Sequence, residues 1–112
     1  MGRMQQRKGA DGERELAAIL AEYGYSVTRG SPMNYGTEPD LSGLPNIHVE
    51  VKRQEKLCLT TALAQAQVDS QKFRDGLPAV FHRRNREKWQ VTMQLDDWIK
   101  LYEGKHNEFA DQ

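Results

Sequence analysis

The sequence predicts one α/β domain in which helices flank a mixed β-sheet. Segments with the periodicity of helices alternate with segments with the periodicity of strands, and one helical segment connects two pairs of strands. With 112 residues, of which 38% are hydrophobic and 29% charged, the chain has the size of one domain. We therefore treat residues 1–112 as a single domain and expect its two ends, 1–7 and 104–112, to be flexible.

The first helix is predicted over residues 8–24, with bounds uncertain by about 2 to 4 residues. Its apolar side chains recur at a spacing of three and four. Glu13 lies about 20° from Leu20 on the helical wheel and so faces the core, whereas Glu22 lies about 180° from Glu13. An unpaired carboxylate facing the core would cost several kcal/mol or take up a proton, so a cation is expected beside Glu13. Alternatively, Glu13 is a hydrated acid of the first turn, favoured by the helix dipole.

Three strands are predicted next, over residues 25–30, 39–43 and 46–53, with a long loop after the first. In the third strand, apolar side chains alternate with polar ones, which puts Glu50 and Lys52 on one face. Two residues apart on a strand, they lie roughly 7 Å from each other and can serve one cation and one phosphate. A solvated strand face with an ion pair would show the same alternation.

Asp40 lies where the strand over residues 39–43 begins, directly after Pro39. A turn over residues 43–46 connects this strand to the strand of Glu50. The two strands should form an antiparallel hairpin that places Asp40 opposite Glu50. The alternative is that Asp40 only caps a turn, since Pro-Asp is a frequent turn dipeptide.

The second half of the chain predicts a helix over residues 59–74, strands over 78–83 and 88–94, and a short helix over 95–103. The helix over 59–74 supplies the crossover that a parallel strand pair requires. The last two strands should form a hairpin, and its tip is basic.

Charge is segregated along the chain although the net charge is zero. Cations gather near the N-terminus and at the hairpin tip, where they can contact backbone phosphates or simply be solvated: Arg3, Arg7, Lys8, Arg83, Arg84 and Arg86. The single cysteine, Cys58, cannot form an internal disulfide and is expected to be reduced and buried. No apolar run approaches the roughly 18 residues of a membrane span, and no signal peptide is visible, so we expect no membrane contact and a cytoplasmic location.

Three segments together resemble the PD-(D/E)XK nuclease superfamily and, within it, the small Holliday-junction-resolvase-like proteins of archaeal and phage type. They are residues 7–16, Pro39-Asp40 and Glu50-Val51-Lys52. In that family the acid of the first helix lies four residues after the glycine of a Lys-Gly pair, as Glu13 follows Gly9. The resemblance covers about residues 7–100 and implies a restriction-endonuclease-like fold.

The resemblance also implies a catalytic set of Glu13, Asp40, Glu50 and Lys52. By this similarity Asp40, Glu50, the Val51 carbonyl and Glu13 would bind Mg²⁺, or Mn²⁺ in its place, and Lys52 would position water or phosphate. Ser31 resembles a phosphate-contacting loop residue, and Gln65 matches a glutamine directed at the active site, although it could equally be a solvated flank residue of its helix. The residues expected to contact nucleic acid are Arg7, Lys8, Ser31, Gln65, Arg83 and Arg84.

The function implied is a metal-dependent endonuclease that hydrolyses DNA phosphodiesters in Holliday junctions or other branched DNA, acting as a homodimer. Two alternatives stay open. One is a nuclease of the same fold that acts on other DNA or on RNA, and the other is a nucleic-acid-binding module without catalysis. The presence of all four catalytic candidates argues against the second alternative.

Overall fold

The computed structural model is built around a five-stranded mixed sheet in the order β1-β2-β3-β4-β5, which confirms the predicted fold class. It describes residues 2–30 and 38–110, with side chains for residues 9–30 and 38–104. The elements in chain order are α1 (Gly2–Glu22), β1 (Thr28–Arg29), β2 (Leu41–Ser42), β3 (Ile47–Arg53), α2 (Leu59–Phe73), β4 (Leu77–Arg83), β5 (Gln90–Met93) and α3 (Leu95–Ala110).

Strand pairing follows the sequence prediction. β2 pairs with β3 in the antiparallel sense, and the register of Leu41 with Val49, continued by one residue, puts Asp40 opposite Glu50. β3 and β4 are parallel and are connected through α2, whereas β4 and β5 form an antiparallel hairpin. The central strand β3 is thus paired along both edges, which fixes the backbone that carries Glu50 and Lys52.

Helices α1 and α2 pack on opposite faces of the sheet and form two separate hydrophobic cores. On one face, Leu16 of α1 packs against Val49 and Val51. On the other face, α2 packs Ala62 and Ala66 against Val80 of β4. The polar residues of β3 that alternate with the valines therefore lie on the α2 face of the sheet.

Two glycines allow close approaches that determine where α1 and β4 lie. A Cβ on Gly12 would lie 2.6 Å from the Cβ of Arg53, so the absence of a side chain lets α1 pack tightly on β3. Gly76 has φ +136°, and a Cβ there would overlap the backbone of Asn46. At this point the Leu77 amide donates a hydrogen bond to the Asn46 carbonyl over 2.8 Å and so joins the starts of β3 and β4.

The outer helices are longer than predicted. α1 begins at Gly2 instead of residue 8, and α3 continues to Ala110 instead of ending at residue 103. Neither added segment contains proline, so nothing in the backbone interrupts the helical hydrogen bonds. The flexibility expected for residues 1–7 and 104–112 stays a prediction.

Cys58 is exposed, so the expectation that it is buried was wrong. It occupies the N-cap position of α2, at the surface where the chain enters that helix. Among the described residues, no helix is long and apolar enough to cross a membrane.

Candidate active site

Asp40 and Glu50 form the centre of the candidate site at the junction of β2 and β3. Asp40 Oδ2 accepts a hydrogen bond from the Val51 amide over 2.8 Å, which anchors the loop before β2 to the central strand. Glu50 is only 7% exposed. Burial, and then the negative charge of Glu50, raises the pKa of Asp40 to about 7. Two carboxylates in one partly buried place therefore favour a proton or another cation between them.

Glu13 joins these acids from α1. Its side chain faces inward, while Asp11 and Glu22 are exposed, in agreement with the helical wheel. Arg29 Nε of β1 donates a hydrogen bond to Glu13 Oε2 over 3.2 Å. The pKa of Glu13 is nevertheless raised, because burial outweighs the effect of Arg29 and the charge of Glu50 adds to it.

The donor set fits a divalent cation such as Mg²⁺. Glu13, Asp40 and Glu50 offer hard carboxylate oxygens, and Glu13 and Glu50 both raise the pKa of Asp40 by repulsion. Lys52 opposes this repulsion only weakly, as the smallest of the influences on Asp40. Negative charge at the site is therefore in excess, which is the electrostatic condition for binding a cation.

A cleft of about 310 Å³ adjoins β3 on the α2 side and contains two of the predicted site residues, Lys52 and Gln65. Its lining consists of Lys52, Gln54, Leu57, Cys58, Thr61, Ala62 and Gln65. Gln65 is exposed and donates a hydrogen bond from Nε2 to Asp69 Oδ1 over 3.0 Å. Gln65 thus faces the same cleft as Lys52, although its amide is engaged by its neighbour on α2.

His48 lies beside Glu50 but was not among the predicted site residues. It is fully buried, its Nδ1 lies 2.9 Å from both oxygens of Asp75, and its Nε2 lies 3.3 Å from Glu50 Oε1. Burial alone would lower the pKa of His48, but its bonds to Glu50 and Asp75 outweigh burial and raise it. The available signal in the sequence was its position on the same strand face as Glu50, whereas Asp75 comes from beyond α2 and gave no signal.

Arg83 and Arg84, both expected to contact DNA, lie in different environments. Arg83 binds Glu15 of α1 through two hydrogen bonds, of 2.6 Å from Nε and 3.2 Å from the guanidinium NH2 group. Trp89 Nε1 donates to the same Glu15 over 2.8 Å. Arg84 is exposed and pairs with Glu87 over 3.1 Å. Arg83 therefore connects the hairpin to α1, and Arg84 is the more accessible of the two cations.

Three further predicted contacts lie outside the described parts of the chain. Ser31 falls in residues 31–37, and Arg7 and Lys8 precede residue 9, where the description of side chains begins.

Comparison with known proteins identifies the family of this chain and a solved structure that shares its fold. The sequence matches the family model of the archaeal Holliday junction resolvase (hjc) over residues 4–105. A solved structure of Archaeoglobus fulgidus Hjc, a Holliday junction resolvase from an archaeal hyperthermophile, matches with a TM-score of 0.57 and 22% identity, covering 77% of this chain and 72% of that chain. At this identity the likeness establishes a shared fold. No curated protein matches the sequence.

Proposed function

Because the chain belongs to the archaeal Holliday junction resolvase family, we propose that it is a metal-dependent endonuclease that hydrolyses DNA phosphodiesters at Holliday junctions or other branched DNA. The observation that carries the proposal is the convergence of Glu13, Asp40 and Glu50. Burial, and then the negative charges of Glu50 and Glu13, raise the pKa of Asp40 to about 7, so an ionised Asp40 is unfavourable unless the site has a cation to bind.

In this proposal Asp40, Glu50, the Val51 carbonyl and Glu13 hold Mg²⁺, for which Mn²⁺ can substitute. When bound, the ion supplies an activated water and neutralises charge on the phosphate. The chain fixes the orientation of its own ligands, because the Val51 amide holds Oδ2 of Asp40 and Arg29 holds Oε2 of Glu13. One oxygen of each carboxylate thereby stays available to the cation.

Lys52 is the proposed positioning group for the attacking water or for the phosphate. It follows Glu50 on the same face of β3 and borders the 310 Å³ cleft, where its ammonium can meet a phosphate without competing for the cation. Gln65 on the opposite wall would contact the DNA backbone. Arg84 at the hairpin tip, together with Arg7, Lys8 and Ser31, would bind phosphates further from the cut, independently of base sequence.

A homodimer is proposed as the acting form, in the cytoplasm. Two copies would present one site to each of two strands, and two-fold symmetry is the commonest way to build such an assembly. The accessible apolar side chains of α3 support a contact between copies, since they recur at a spacing of three and four: Leu95, Trp98, Ile99 and Tyr102. Sedimentation of the purified protein measures this directly, and a monomer at working concentration would refute it.

The proposal is tested by incubating a labelled four-way junction, a flap, a linear duplex and an RNA hairpin with the protein in Mg²⁺. We expect cleavage of the junction above that of the linear duplex. Asp40→Asn and Glu50→Gln should abolish cleavage while the junction is still bound, because each removes a ligand charge with little change of shape.

The same experiment separates the alternatives. Preferential cleavage of RNA or linear duplex would indicate a nuclease of the same fold with another substrate. Binding without cleavage by the unaltered protein would indicate a non-catalytic nucleic-acid-binding module. Full activity of Asp40→Asn or Glu50→Gln would show that the site lies elsewhere.

A further inference from the structure

We propose that His48, Glu50 and Asp69 form a binding site for a divalent transition-metal ion such as Mn²⁺. The site adjoins the Mg²⁺ ligand set of the proposed function and shares Glu50 with it. Among the described residues, these three have one ligand atom each within 4.8 Å of one another. The inference rests on the proposed function only through this shared carboxylate.

The buried ring of His48 lies between two carboxylates, with one of its nitrogens near each. Nδ1 lies 2.9 Å from both oxygens of Asp75, so the ring proton on Nδ1 is donated there. The other nitrogen, Nε2, lies 3.3 Å from Glu50 Oε1, and in the neutral ring it presents a lone pair to that oxygen. Two acceptors that face each other in a buried place repel unless a second ring proton or a metal ion lies between them.

The surroundings of the three residues resemble the outer shell of a metal site. A histidine that ligates a metal commonly donates its other ring N–H to a carboxylate, and Asp75 stands in that position toward His48. Asp69 is oriented in the same manner, because Gln65 Nε2 donates to its Oδ1 over 3.0 Å and leaves Oδ2 available. Phe73 stacks on the His48 ring with centroids 6.2 Å apart and restricts its rotation.

The mixture of ligands determines the class of ion. Imidazole nitrogen favours transition metals over Mg²⁺, and the two carboxylates also suit Mn²⁺. Metal bonds to nitrogen and oxygen are about 2.0 to 2.2 Å long, so two ligands of one ion lie at most about 4.4 Å apart. The ligand atoms of His48, Glu50 and Asp69 now lie within 4.8 Å of one another. Small rotations of the Glu50 and Asp69 side chains would shorten these distances to about 4.4 Å or less. Replacing Mg²⁺ by Mn²⁺ would therefore add a second ion on the α2 side of Glu50.

The test uses pulsed electron paramagnetic resonance of the whole protein with Mn²⁺, which detects a ¹⁴N nucleus bound directly to the ion. We expect the nitrogen signal in the unaltered protein and also in Asp40→Asn, which removes a ligand only from the Mg²⁺ set. His48→Gln should abolish the signal. Asp75→Asn should weaken Mn²⁺ affinity about 10- to 100-fold by releasing the ring.

Two further variants separate coordination from folding. Asp69 lies on α2 and is partly exposed, so Asp69→Asn should fold normally and still weaken Mn²⁺ binding at least about 10-fold. His82 is another buried histidine, bonded to Thr92 over 2.8 Å, and His82→Gln should leave the nitrogen signal unchanged. Circular dichroism verifies that each variant is folded.

The absence of a ¹⁴N signal in the unaltered protein would overturn the inference. Cleavage of a junction in Mg²⁺ without that signal would refute the metal site alone. A nitrogen signal without cleavage of any branched DNA would instead refute the proposed nuclease and leave the metal site standing.

Discussion

Asp40, a proposed ligand of the metal ion, carries a cost in stability. Its pKa in the folded protein is raised from an ordinary 3.8 to about 7 by burial and by the charge of Glu50. Between these two pH values the folded state binds a proton that the unfolded state has lost. The stability of the metal-free protein should therefore fall as the pH rises from about 4 to about 7, and remain lower above that pH.

Asp40→Asn should stabilise the metal-free protein at pH 8 by about 1 kcal/mol or more, because it removes the buried charge. The amide oxygen of the new side chain can still accept the hydrogen bond from Val51. The gain should be smaller at pH 5, where Asp40 is largely protonated in the folded state. Denaturant unfolding in EDTA at both pH values measures it, and a loss of stability at pH 8 would contradict the assignment.

Glu13 and Glu22 form a matched pair on one helix, one facing inward and the other exposed. If Glu13 belongs to the cation's ligands, Glu13→Gln should lower the rate of junction cleavage about 10-fold or more. Glu22→Gln should have no measurable effect, because its side chain is solvated on the opposite face. Single-turnover cleavage rates of both variants measure this difference. Equal rates would mean that Glu13 has no part in the chemistry.

The contact of α1 with β3 depends on one glycine and can be tested against a second. Gly12→Ala would place a Cβ 2.6 Å from the Cβ of Arg53 and force the helix away from the strand, at a cost of about 1 to 3 kcal/mol. Gly9 has open space within 4 Å, so Gly9→Ala should stabilise the helix by up to about 1 kcal/mol. Since the same displacement would move Glu13, Gly12→Ala should also reduce cleavage.

Thermal unfolding of the two glycine variants measures the difference. A Gly12→Ala protein as stable as the Gly9→Ala protein would show that α1 does not pack as closely as described.

In the hairpin of β4 and β5, two adjacent arginines contribute differently to stability. Arg83→Ala should lower stability by about 1 to 2 kcal/mol, since it breaks the paired hydrogen bonds with Glu15, which is itself partly exposed. Arg84→Ala removes only an exposed pair with Glu87 and should leave stability nearly unchanged. Urea unfolding of the two variants compares these effects.

For DNA binding we expect the larger effect from the substitution of Arg84 and the smaller effect from that of Arg83. Arg84→Ala should flatten the dependence of log affinity on log salt by about one unit for each lost phosphate contact, with any junction sequence. Arg83→Ala should change this slope less, because Glu15 already engages its guanidinium. An unchanged slope for Arg84→Ala would show that the hairpin tip does not contact the DNA and that the DNA binds on another face of the protein.

Across the whole molecule, the sequence predicted the features that depend on local periodicity. Alternation along residues 46–53 predicted β3 and the shared face of Glu50 and Lys52, and the turn before it predicted the antiparallel pairing with β2. The helical wheel selected Glu13 as the inward acid of α1. These features follow from the repeat of each element, which a single sequence displays directly.

The remaining features depend on contacts between distant segments. Arg83 is bound by Glu15, which lies 68 residues earlier in the chain, and its expected contact with DNA stays a prediction. Asp75 reaches His48 across 27 residues and α2, and no local pattern predicts that approach. Cys58 was expected to be buried from its residue type, yet its position at the start of α2 exposes it. Such contacts are determined by packing, which periodicity does not encode.

The most direct test of the central claim is a time course with a synthetic four-way junction, in Mg²⁺ and in EDTA. We expect cleavage of junction strands in Mg²⁺, none in EDTA, and its return when excess Mn²⁺ is added to the chelated reaction. Equal cleavage in EDTA would contradict a site built on Glu13, Asp40 and Glu50. An intact junction in both metals, with the protein bound to it, would contradict the proposal that this chain is a nuclease.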